Sequence, residues 1–295
     1  MITINKHGSF YIRNGWPTKI LTSVRKNPFV FSQNAELEAV DSIGMGRVMI
    51  RALRYWADVM GLTIERRDQR GLICEETPLF NVLYENDIYL QDIGSLWLLH
   101  RELALNQDRA TAWYWAFNIF DKMQFTKDNF VNDFYAYAIS NGAINQRAAF
   151  IKEFDCLKNT YVGDGSFDVK KIMEEDTIPF FAPLGLITTK GGGVFEKQKT
   201  KSKRIPLAIL LYCIAKDNEG HLAGNRQIAI ETLLEQPKQV GKYFNISYSA
   251  LIEMLQALEN QGHITLYSNF GNRHIELEMP DVDVLLHDYF HLMGR

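Results

Sequence analysis

The sequence predicts a mainly α fold with small β-wings, built from an N-terminal winged helix, a central helical domain and a C-terminal winged-helix-like domain. Three observations predict this class. The glycine-bearing stretch Ser42–Arg47 is typical of the tight turn in a helix-turn-helix. Apolar residues recur every three or four positions through the middle of the chain, as in amphipathic helices. Two alternating stretches, 63–74 and 264–277, follow predicted helices and contain turn residues, which indicates hairpins.

The chain has 295 residues, enough for two or three domains with apolar cores. We expect an N-terminal winged-helix domain over 1–74, a central helical domain over 75–189 and a C-terminal winged-helix-like domain over 205–295. The Gly/Lys-rich stretch 190–204 is predicted to be a flexible linker or an exposed hairpin. The glycine triplet lacks the other residues of a phosphate-binding loop. If this stretch has a function beyond linking, we expect it to be a basic segment that follows a nucleic-acid backbone.

The N-terminal segment is predicted to contain a short strand and three helices. Pro17 fits the first turn of the first helix, Asn34 the N-cap of the second, and Gly61 the end of the third. Glycines at 44 and 46 would let the backbone reverse before the third helix. The expected elements are a strand at Phe10–Ile12 and helices over Pro17–Arg25, Ala35–Asp41 and Arg47–Met60.

The third helix carries the main candidate DNA contacts. Arg47, Arg51 and Arg54 recur at spacings of three and four, which places them on one solvent face where guanidinium groups can meet phosphates or guanine edges. The residues predicted to face inward are Val48, Ala52, Tyr55 and Met60. A hairpin with strands Thr63–Arg67 and Leu72–Cys74 would be the wing beside this helix. The remaining candidate DNA contacts are Lys19, Arg66, Arg67 and Arg70.

Basic residues are concentrated in two stretches of an otherwise acidic chain. Residues 1–74 contain 11 Lys/Arg against 6 Asp/Glu, and residues 190–204 contain 6 against 1, a local +5 in each case. Residues 75–189 contain 9 against 17 and residues 205–295 contain 6 against 11, so the whole chain is at −3. Two basic stretches suggest two places for a polyanion, and solvated surfaces are the alternative.

The central segment is predicted to be helical. Its helices are expected over Ile93–Ala104, Ala110–Met123 and Asn129–Ala138, the last with Thr126 as its N-cap. Aromatic residues at helical spacing indicate a packed core rather than a base-stacking platform, and they are Trp97, Trp113, Trp115, Phe117, Phe120, Phe134 and Tyr137. A turn is expected at Gly163–Ser166.

The C-terminal segment repeats the N-terminal pattern of helices followed by a hairpin. Its helices are expected over Pro206–Ala215, Ile228–Leu234 and Gln239–Phe244, with a fourth that is capped by Ser247 or Ser249 and runs to Asn260. The fourth helix offers Tyr248, Glu253 and Gln256 but no basic residue. We therefore expect this domain to bind protein partners rather than DNA.

Catalytic and metal-binding patterns are sparse. Cys74, Cys156 and Cys213 lie far apart, which is typical of a reducing compartment and of a chain without a zinc ribbon. His287 and His291 are four residues apart but have no third ligand nearby, so no metal is predicted there. No signal peptide or membrane-spanning run is predicted, and we expect a soluble, cytoplasmic protein.

Two acidic residues are the only candidate catalytic groups. Asp87 and Asp92 flank a short segment, and carboxylates that approach each other can bind Mg²⁺ or Mn²⁺ for phosphodiester hydrolysis. Asp92 also precedes a predicted helix, where an N-cap is its ordinary role. Both interpretations of Asp92 stay open at this point.

Two motifs carry a resemblance to a known family. The first is the opening His7-Gly8-Ser9-Phe10 with Arg13, Trp16 and Lys19, and the second is Tyr89-Leu90-Gln91-Asp92-Ile93-Gly94-Ser95-Leu96-Trp97-Leu98-Leu99-His100. They are similar to the HETF…R..W..K opening and the YLED.gTLWLLH block of the domain-of-unknown-function 4007 (DUF4007) family. The matching positions are His7, Phe10, Arg13, Trp16, Tyr89, Asp92, Trp97 and His100. The chain departs from the pattern at Gly8, Ile88 and Gln91, and the family has glutamate at the first and last of these.

The resemblance implies a setting and three alternatives for function. Members of that family occur beside PAPS-reductase-like and ATPase proteins in bacterial DNA-phosphorothioation systems, and one branch, SspB, nicks DNA. The resemblance therefore implies a double-stranded-DNA-binding subunit of such a modification or phage-defence system, with those two kinds of protein as partners. The second alternative is a nickase that uses Asp87 and Asp92 with Mg²⁺ or Mn²⁺. The third is a winged-helix transcription regulator or a protein-interaction scaffold.

Overall fold

The structure, a computed structural model, describes residues 2–162, 179–269, 272–277 and 281–293. Over these residues the fold is mainly helical with small antiparallel sheets, which confirms the predicted mainly α class. The turn expected at Gly163–Ser166 lies outside the described residues, as do residues 270 and 271 of the second predicted hairpin. No helix in the described part of the chain is long and apolar enough to cross a membrane.

Three helices and a hairpin form the N-terminal part. They are α1 (Trp16–Lys26), α2 (Glu36–Ile43), α3 (Arg47–Val59), β1 (Thr63–Asp68) and β2 (Gly71–Glu76). Pro17 lies in the first turn of α1 as predicted, and Trp16 and Trp56 are buried where α1 packs on α3. The two strands pair in antiparallel register from Thr63 opposite Glu76 to Asp68 opposite Gly71.

Two predictions of local secondary structure in this part are wrong. Phe10–Ile12 does not form a strand. Asn34 does not cap α2, because it lies within a 3₁₀ turn, Gln33–Ala35, and α2 begins only at Glu36 without a side-chain cap.

The turn between α2 and α3 depends on one of its two glycines. Gly44 has φ 70°, a left-handed conformation that favours glycine, and its N–H donates to the carbonyl of Val40 to end α2. Gly46 has φ −65°, which any residue adopts, so its predicted conformational freedom is not needed. Val48, predicted to be buried, lies in the first turn of α3 and is 56% exposed.

The central part is a helical layer built around aromatic side chains. Its elements are α4 (Pro78–Asn86), α5 (Ile93–Leu105), α6 (Thr111–Asn118), β3 (Gln124–Thr126), α7 (Lys127–Ser140) and α8 (Arg147–Tyr161). The predicted aromatic core is buried except for Tyr137, which is only partly buried. The helix expected over Ala110–Met123 ends at Asn118, since β3 follows it and pairs with a later strand. Thr126 caps α7 as predicted, in a capping box with Asn129.

Two structures were predicted for the Gly/Lys-rich stretch 190–204, a flexible linker or an exposed hairpin, and its glycines lie in a hairpin. Strands β4 (Ile187–Gly191) and β5 (Val194–Lys197) are joined by Gly192 and Gly193, and β5 also pairs with β3 to give the sheet order β3-β5-β4. This stretch is therefore attached to the central helical layer through a sheet.

The C-terminal part again places a hairpin after a helix. Its elements are α9 (Leu207–Asp217), α10 (Glu219–Leu222), β6 (Gln227–Ala229), α11 (Ile230–Glu235), α12 (Val240–Tyr243), α13 (Tyr248–Asn260), β7 (Thr265–Asn269), β8 (Asn272–Glu276) and α14 (Val282–Met293). The sheet order is β6-β8-β7. The predicted helix over Ile228–Leu234 is wrong at its start, because Gln227–Ala229 pairs with β8 as a strand. Of the two predicted caps of α13, Ser247 rather than Ser249 accepts from Ala250 N.

Candidate nucleic-acid interface

A groove of about 500 Å³ lies between the exposed side of α3 and the hairpin β1–β2. Three of the predicted DNA contacts line it: Arg51 and Arg54 from α3 and Arg67 from β1. The chain around Phe31–Asn34 and the acidic residues Glu36 and Asp68 complete its walls. The structure thus brings a helix face and a hairpin together beside one solvent-accessible groove.

Only the N-terminal end of α3 is open to solvent. Arg47, Val48 and Arg51 are exposed, whereas Ala52 to Ala57 are buried apart from Arg54. Arg47 has no ionic partner within the described residues. Arg51 donates to Glu36 Oε1 from Nε and Nη2 at 3.0 and 2.8 Å, but its side chain is 72% exposed, so this pair is weak and exchangeable.

Arg54 is bound more firmly than the other arginines of α3. Its Nε and Nη2 each donate to a carboxylate oxygen of Glu65 on β1 at 2.6 Å. Glu65 is largely buried, and the hydrogen bonds to it raise the pKa of Arg54. The arginine predicted to read DNA therefore also fixes the hairpin to the helix.

The two arginines in the middle of β1 lie on opposite faces of the hairpin, because side chains alternate along a strand. Arg67 lies on the groove side and has no ionic partner within the described part of the chain. Arg66 lies outside the groove, where its Nε is 2.9 Å from Glu75 Oε2. The predicted pair of contacts is split, and only Arg67 is placed beside Arg51.

The remaining predicted contacts have local partners. Arg70 lies at the hairpin turn, 3.4 Å from Asp68 Oδ2 and above the ring of Phe29. Lys19 donates from Nζ to the carbonyl of Ile43 at 3.1 Å, which supports the end of α2. Contact of these two residues with DNA stays a prediction.

The candidate catalytic carboxylates act as hydrogen-bond acceptors within the fold. Asp92 is the N-cap of α5 and accepts from Gly94 N and Ser95 N, as the capping alternative predicts. Asp87 accepts from the backbone N–H of Gln91 and Asp92 and, at 2.6 Å, from the hydroxyl of Ser95. Both oxygens of Asp87 therefore already accept hydrogen bonds within the fold. Within the described residues no three His, Cys, Asp or Glu side chains are grouped to hold a metal ion.

The resemblance motifs are mostly structural. His7 is buried with Nδ1 accepting from Ser9 N, and Nε2 faces Glu153 at 3.3 Å. Trp97 is fully buried and donates to the carbonyl of Arg204 at 2.8 Å. Arg13 lies above the rings of Tyr11 and Trp16, and the carbonyl of Phe10 accepts from Trp56 Nε1. Tyr89, at 70% exposed, is the exception.

His100, the last residue of the second motif, is a buried neutral group. Its Nε2 donates to the carbonyl of Tyr243 and its Nδ1 accepts from the hydroxyl of Tyr161, both at 2.7 Å. Burial lowers the pKa of His100 to about 4, so its ring is uncharged at neutral pH. This histidine joins α5, α8 and α12 rather than serving a surface site.

The remaining groups considered in the sequence are one histidine pair and three cysteines. His287 and His291 lie on the exposed side of α14 with ring centroids 5.2 Å apart. Cys74, Cys156 and Cys213 are buried and unpaired. The acidic partners Glu36 and Glu65 were not identified from the sequence. Their pairing with arginines of α3 becomes visible only in the folded structure, where they lie opposite that basic helix.

Comparisons with known proteins agree with this architecture. A family model described as "Protein of unknown function (DUF4007)" matches residues 4–290. Two solved structures are similar in fold at 24% sequence identity, each covering 98% of this chain and 88% of the other. The "Magnesium ion-bound SspB crystal structure" has a TM-score of 0.83, and the "SspB crystal structure" has 0.81. Comparison with curated protein sequences gives no match.

Proposed function

We propose, from the premise that this chain belongs to the DUF4007 family, that it is a double-stranded-DNA-binding subunit of a bacterial phosphorothioation modification or defence system. The likeness of its fold to the two SspB structures supports that setting. In this proposal residues 1–74 act as a winged helix, with α3 as the reading helix and β1–β2 as the wing, and residues 205–295 bind protein partners.

The observation that carries the proposal is the exposure of α3 at its N-terminal end only. Helix-turn-helix proteins contact base edges with the N-terminal residues of the reading helix while neighbouring elements contact the backbone. Arg47 and Arg51 meet that description, and Val48 between them offers an apolar contact for a thymine methyl group. Arg67, which lines the groove from the hairpin, would contact a phosphate in this proposal.

The ion pairs that the arginines make within the protein determine which of them are available to bind DNA. Arg51 must leave Glu36 to bind DNA, but an exposed pair contributes only about 0–1 kcal/mol, so the exchange costs little. Arg54 is held by two short bonds to a largely buried carboxylate, and we expect it to stay there. The proposed direct contacts are therefore Arg47, Arg51 and Arg67.

Duplex binding at several salt concentrations tests the proposal. Affinity should fall steeply between about 50 and 200 mM salt, because phosphate contacts release counterions. The double variant Arg47→Gln/Arg67→Gln should bind more weakly and show a shallower salt dependence, by about 0.9 in the log–log slope for each phosphate that the variant no longer neutralises. Lys122→Gln is the matched control, since its Nζ is already paired with Asp133 at 2.6 Å. Wild-type protein without measurable duplex affinity would refute the proposal.

The alternative, a Mg²⁺- or Mn²⁺-dependent nickase, is suggested by the magnesium-bound neighbour of similar fold. The carboxylates assigned to it have structural roles in the fold: Asp92 Oδ1 accepts from the first turn of α5, and both oxygens of Asp87 accept hydrogen bonds from Gln91, Asp92 and Ser95. Incubation of supercoiled plasmid with either metal decides between the two. Open-circle product that disappears in Asp87→Asn, with the folded state retained, would favour the nickase over a subunit that binds without cutting.

A further inference from the structure

A second basic surface lies in the C-terminal half of the chain, where the segment after β5 runs beside the start of α13. Two adjoining cavities of about 330 and 520 Å³ share Lys199 and Ser247 on their walls. We call this surface the lysine cleft and define it by Lys197, Lys199, Lys201, Lys203 and Lys242. The sequence indicated four of these lysines, and the fold adds Lys242 from α12.

Backbone hydrogen bonds hold the lysine-bearing segment in place. Thr200 N donates to the carbonyl of Asn245 at 2.9 Å, and Thr200 Oγ1 donates to the carbonyl of Phe244 at 2.6 Å. The side chain of Asn245 in turn donates to the carbonyl of Gln198 at 2.8 Å. Thr200 is buried, whereas Lys201 beside it is exposed. The lysines are therefore presented from a fixed backbone rather than from a loose strap.

The cleft differs from the arginine groove in its charge balance. Within the described residues no carboxylate lies within ion-pair distance of Lys199, Lys201, Lys203 or Lys242. Lys199 Nζ donates instead to the neutral Asn245 Oδ1 at 3.0 Å. The acidic residues on the walls are Asp121, Glu235 and Glu253, fewer than the lysines. The surface thus keeps positive charge that no internal partner neutralises.

Lys197 forms the buried floor of the smaller cavity. It is 7% exposed, and its Nζ donates to the carbonyls of Ala116 and Phe120, so the third N–H of the ammonium group has no acceptor among the described residues. Burial, with Lys199 and Lys242 nearby, lowers the pKa of Lys197 to about 8. These like charges repel one another in the absence of a bound anion.

The start of α13 adds donors to the same place. Ser247 satisfies Ala250 N, while the N–H groups of Tyr248 and Ser249 in the first turn have no acceptor one turn earlier in the helix. They point out of the positive end of a 13-residue helix, where anions are stabilised. Lysines and helix N–H groups therefore converge on the boundary of the two cavities.

We propose that the lysine cleft is a second DNA-contacting surface that binds consecutive phosphates of the backbone without reading bases. The chemistry is that of a phosphodiester, because several compact ammonium groups and backbone N–H donors are collected there, and such groups bind phosphate oxygens as point charges and donors. The inference rests on the proposed function for the identity of the anion. It assigns sequence-independent affinity to the cleft and base reading to α3, and it adds DNA contact by Lys242 and the start of α13 to the protein-partner role proposed for residues 205–295.

Salt-dependent binding of the full chain to a duplex of arbitrary sequence tests the inference. Lys199→Gln/Lys201→Gln/Lys242→Gln should lower affinity equally on unrelated sequences and flatten the log–log salt slope by about 0.9 for each phosphate left without its lysine. Lys201→Gln alone, at an exposed position, keeps the test valid if the triple variant folds poorly. Lys216→Gln is the matched control, because Glu219 already neutralises Lys216 at 2.9 Å.

The outcomes separate this inference from the proposed function. A flattened slope in the lysine variants, with Lys216→Gln unchanged, supports the cleft. Wild-type binding that depends on Arg47 and Arg67 but is unchanged in both lysine variants overturns the cleft and leaves the proposed function standing. Wild-type protein that binds no duplex overturns both.

Discussion

The hydroxyl of Tyr289 donates a hydrogen bond to Asp92 Oδ1 at 2.7 Å, which joins the last described helix, α14, to the first turn of α5. The close approach depends on Gly94, because a Cβ there would lie 2.5 Å from the Tyr289 hydroxyl oxygen. Asp92 and Gly94 of the second family motif thus form the surface on which Tyr289 of α14 packs. This explains two positions of the motif by packing rather than by catalysis.

Tyr289→Phe should therefore destabilise the protein by about 1 kcal/mol, because this hydrogen bond can no longer form. Asp92→Ala should cost roughly 2 kcal/mol, since it removes the N-cap of α5 as well. Urea unfolding measures both changes. Tyr267→Phe is the control, because its hydroxyl has no hydrogen-bond partner within the described residues. Equal stability of Tyr289→Phe and Tyr267→Phe would contradict this role.

Substitutions at two arginines on α3 should affect protein stability and DNA binding differently. Arg54→Gln leaves the largely buried Glu65 without its bidentate partner and should cost about 1–3 kcal/mol in the free energy of unfolding. Arg51→Gln breaks an exposed pair and should change stability by less than about 0.5 kcal/mol while weakening duplex binding. Urea titrations and duplex binding on both variants check this. A large drop in stability for Arg51→Gln would show that Arg51 is not available to DNA.

His100 predicts a loss of stability on acidification. Its folded pKa is about 4, below the ordinary value of 6.5, so the unfolded chain binds a proton in this interval and the folded protein does not. Stability should fall as pH decreases from 6.5 to 4, by up to about 3 kcal/mol from this residue. His100→Gln should lose that part of the pH dependence in denaturant titrations. The same acid slope in both proteins would exclude His100 as the cause.

Lys197 predicts a gain of stability on the alkaline side. Its folded pKa of about 8 lies below the ordinary 10.5, so between these values the unfolded chain holds a proton that the folded protein has released. Stability should rise by about 2 kcal/mol from pH 8 to about 9.5 as burial of the ammonium ceases to be costly. Lys197→Met should remove this rise. Parallel pH profiles for the two proteins would contradict the buried charge.

Features that depend on a few neighbouring residues could be predicted from the sequence. The N-caps Asp92, Thr126 and Ser247 bond to N–H groups two or three residues ahead, so local residue types made each of them a candidate: Thr126 alone, Asp92 beside a metal role, and Ser247 beside Ser249. The hairpin at 63–76 followed from alternation around a short turn, and Pro17 indicated the start of α1.

Features that depend on distant contacts could not. The helix expected over Ala110–Met123 is cut short because Gln124–Thr126 pairs with a strand about 70 residues later, and no local signal records that pairing. The arginines were predicted as one surface, but Arg54 is bound by Glu65 once the hairpin folds back on α3. Alternation assigns Arg66 and Arg67 to opposite faces, yet which face meets the groove is a property of the tertiary fold.

Directed DNA cleavage from α3 tests the central claim most directly. The three native cysteines are buried, so a single exposed cysteine introduced by Val48→Cys can be labelled with an iron chelate that cuts nearby DNA. The account predicts localised duplex cleavage from position 48 and background cleavage from Ile144→Cys, a 96% exposed position in neither proposed surface. Cleavage from position 48 no greater than from position 144, under conditions where the duplex is bound, would contradict the placement of α3 on DNA.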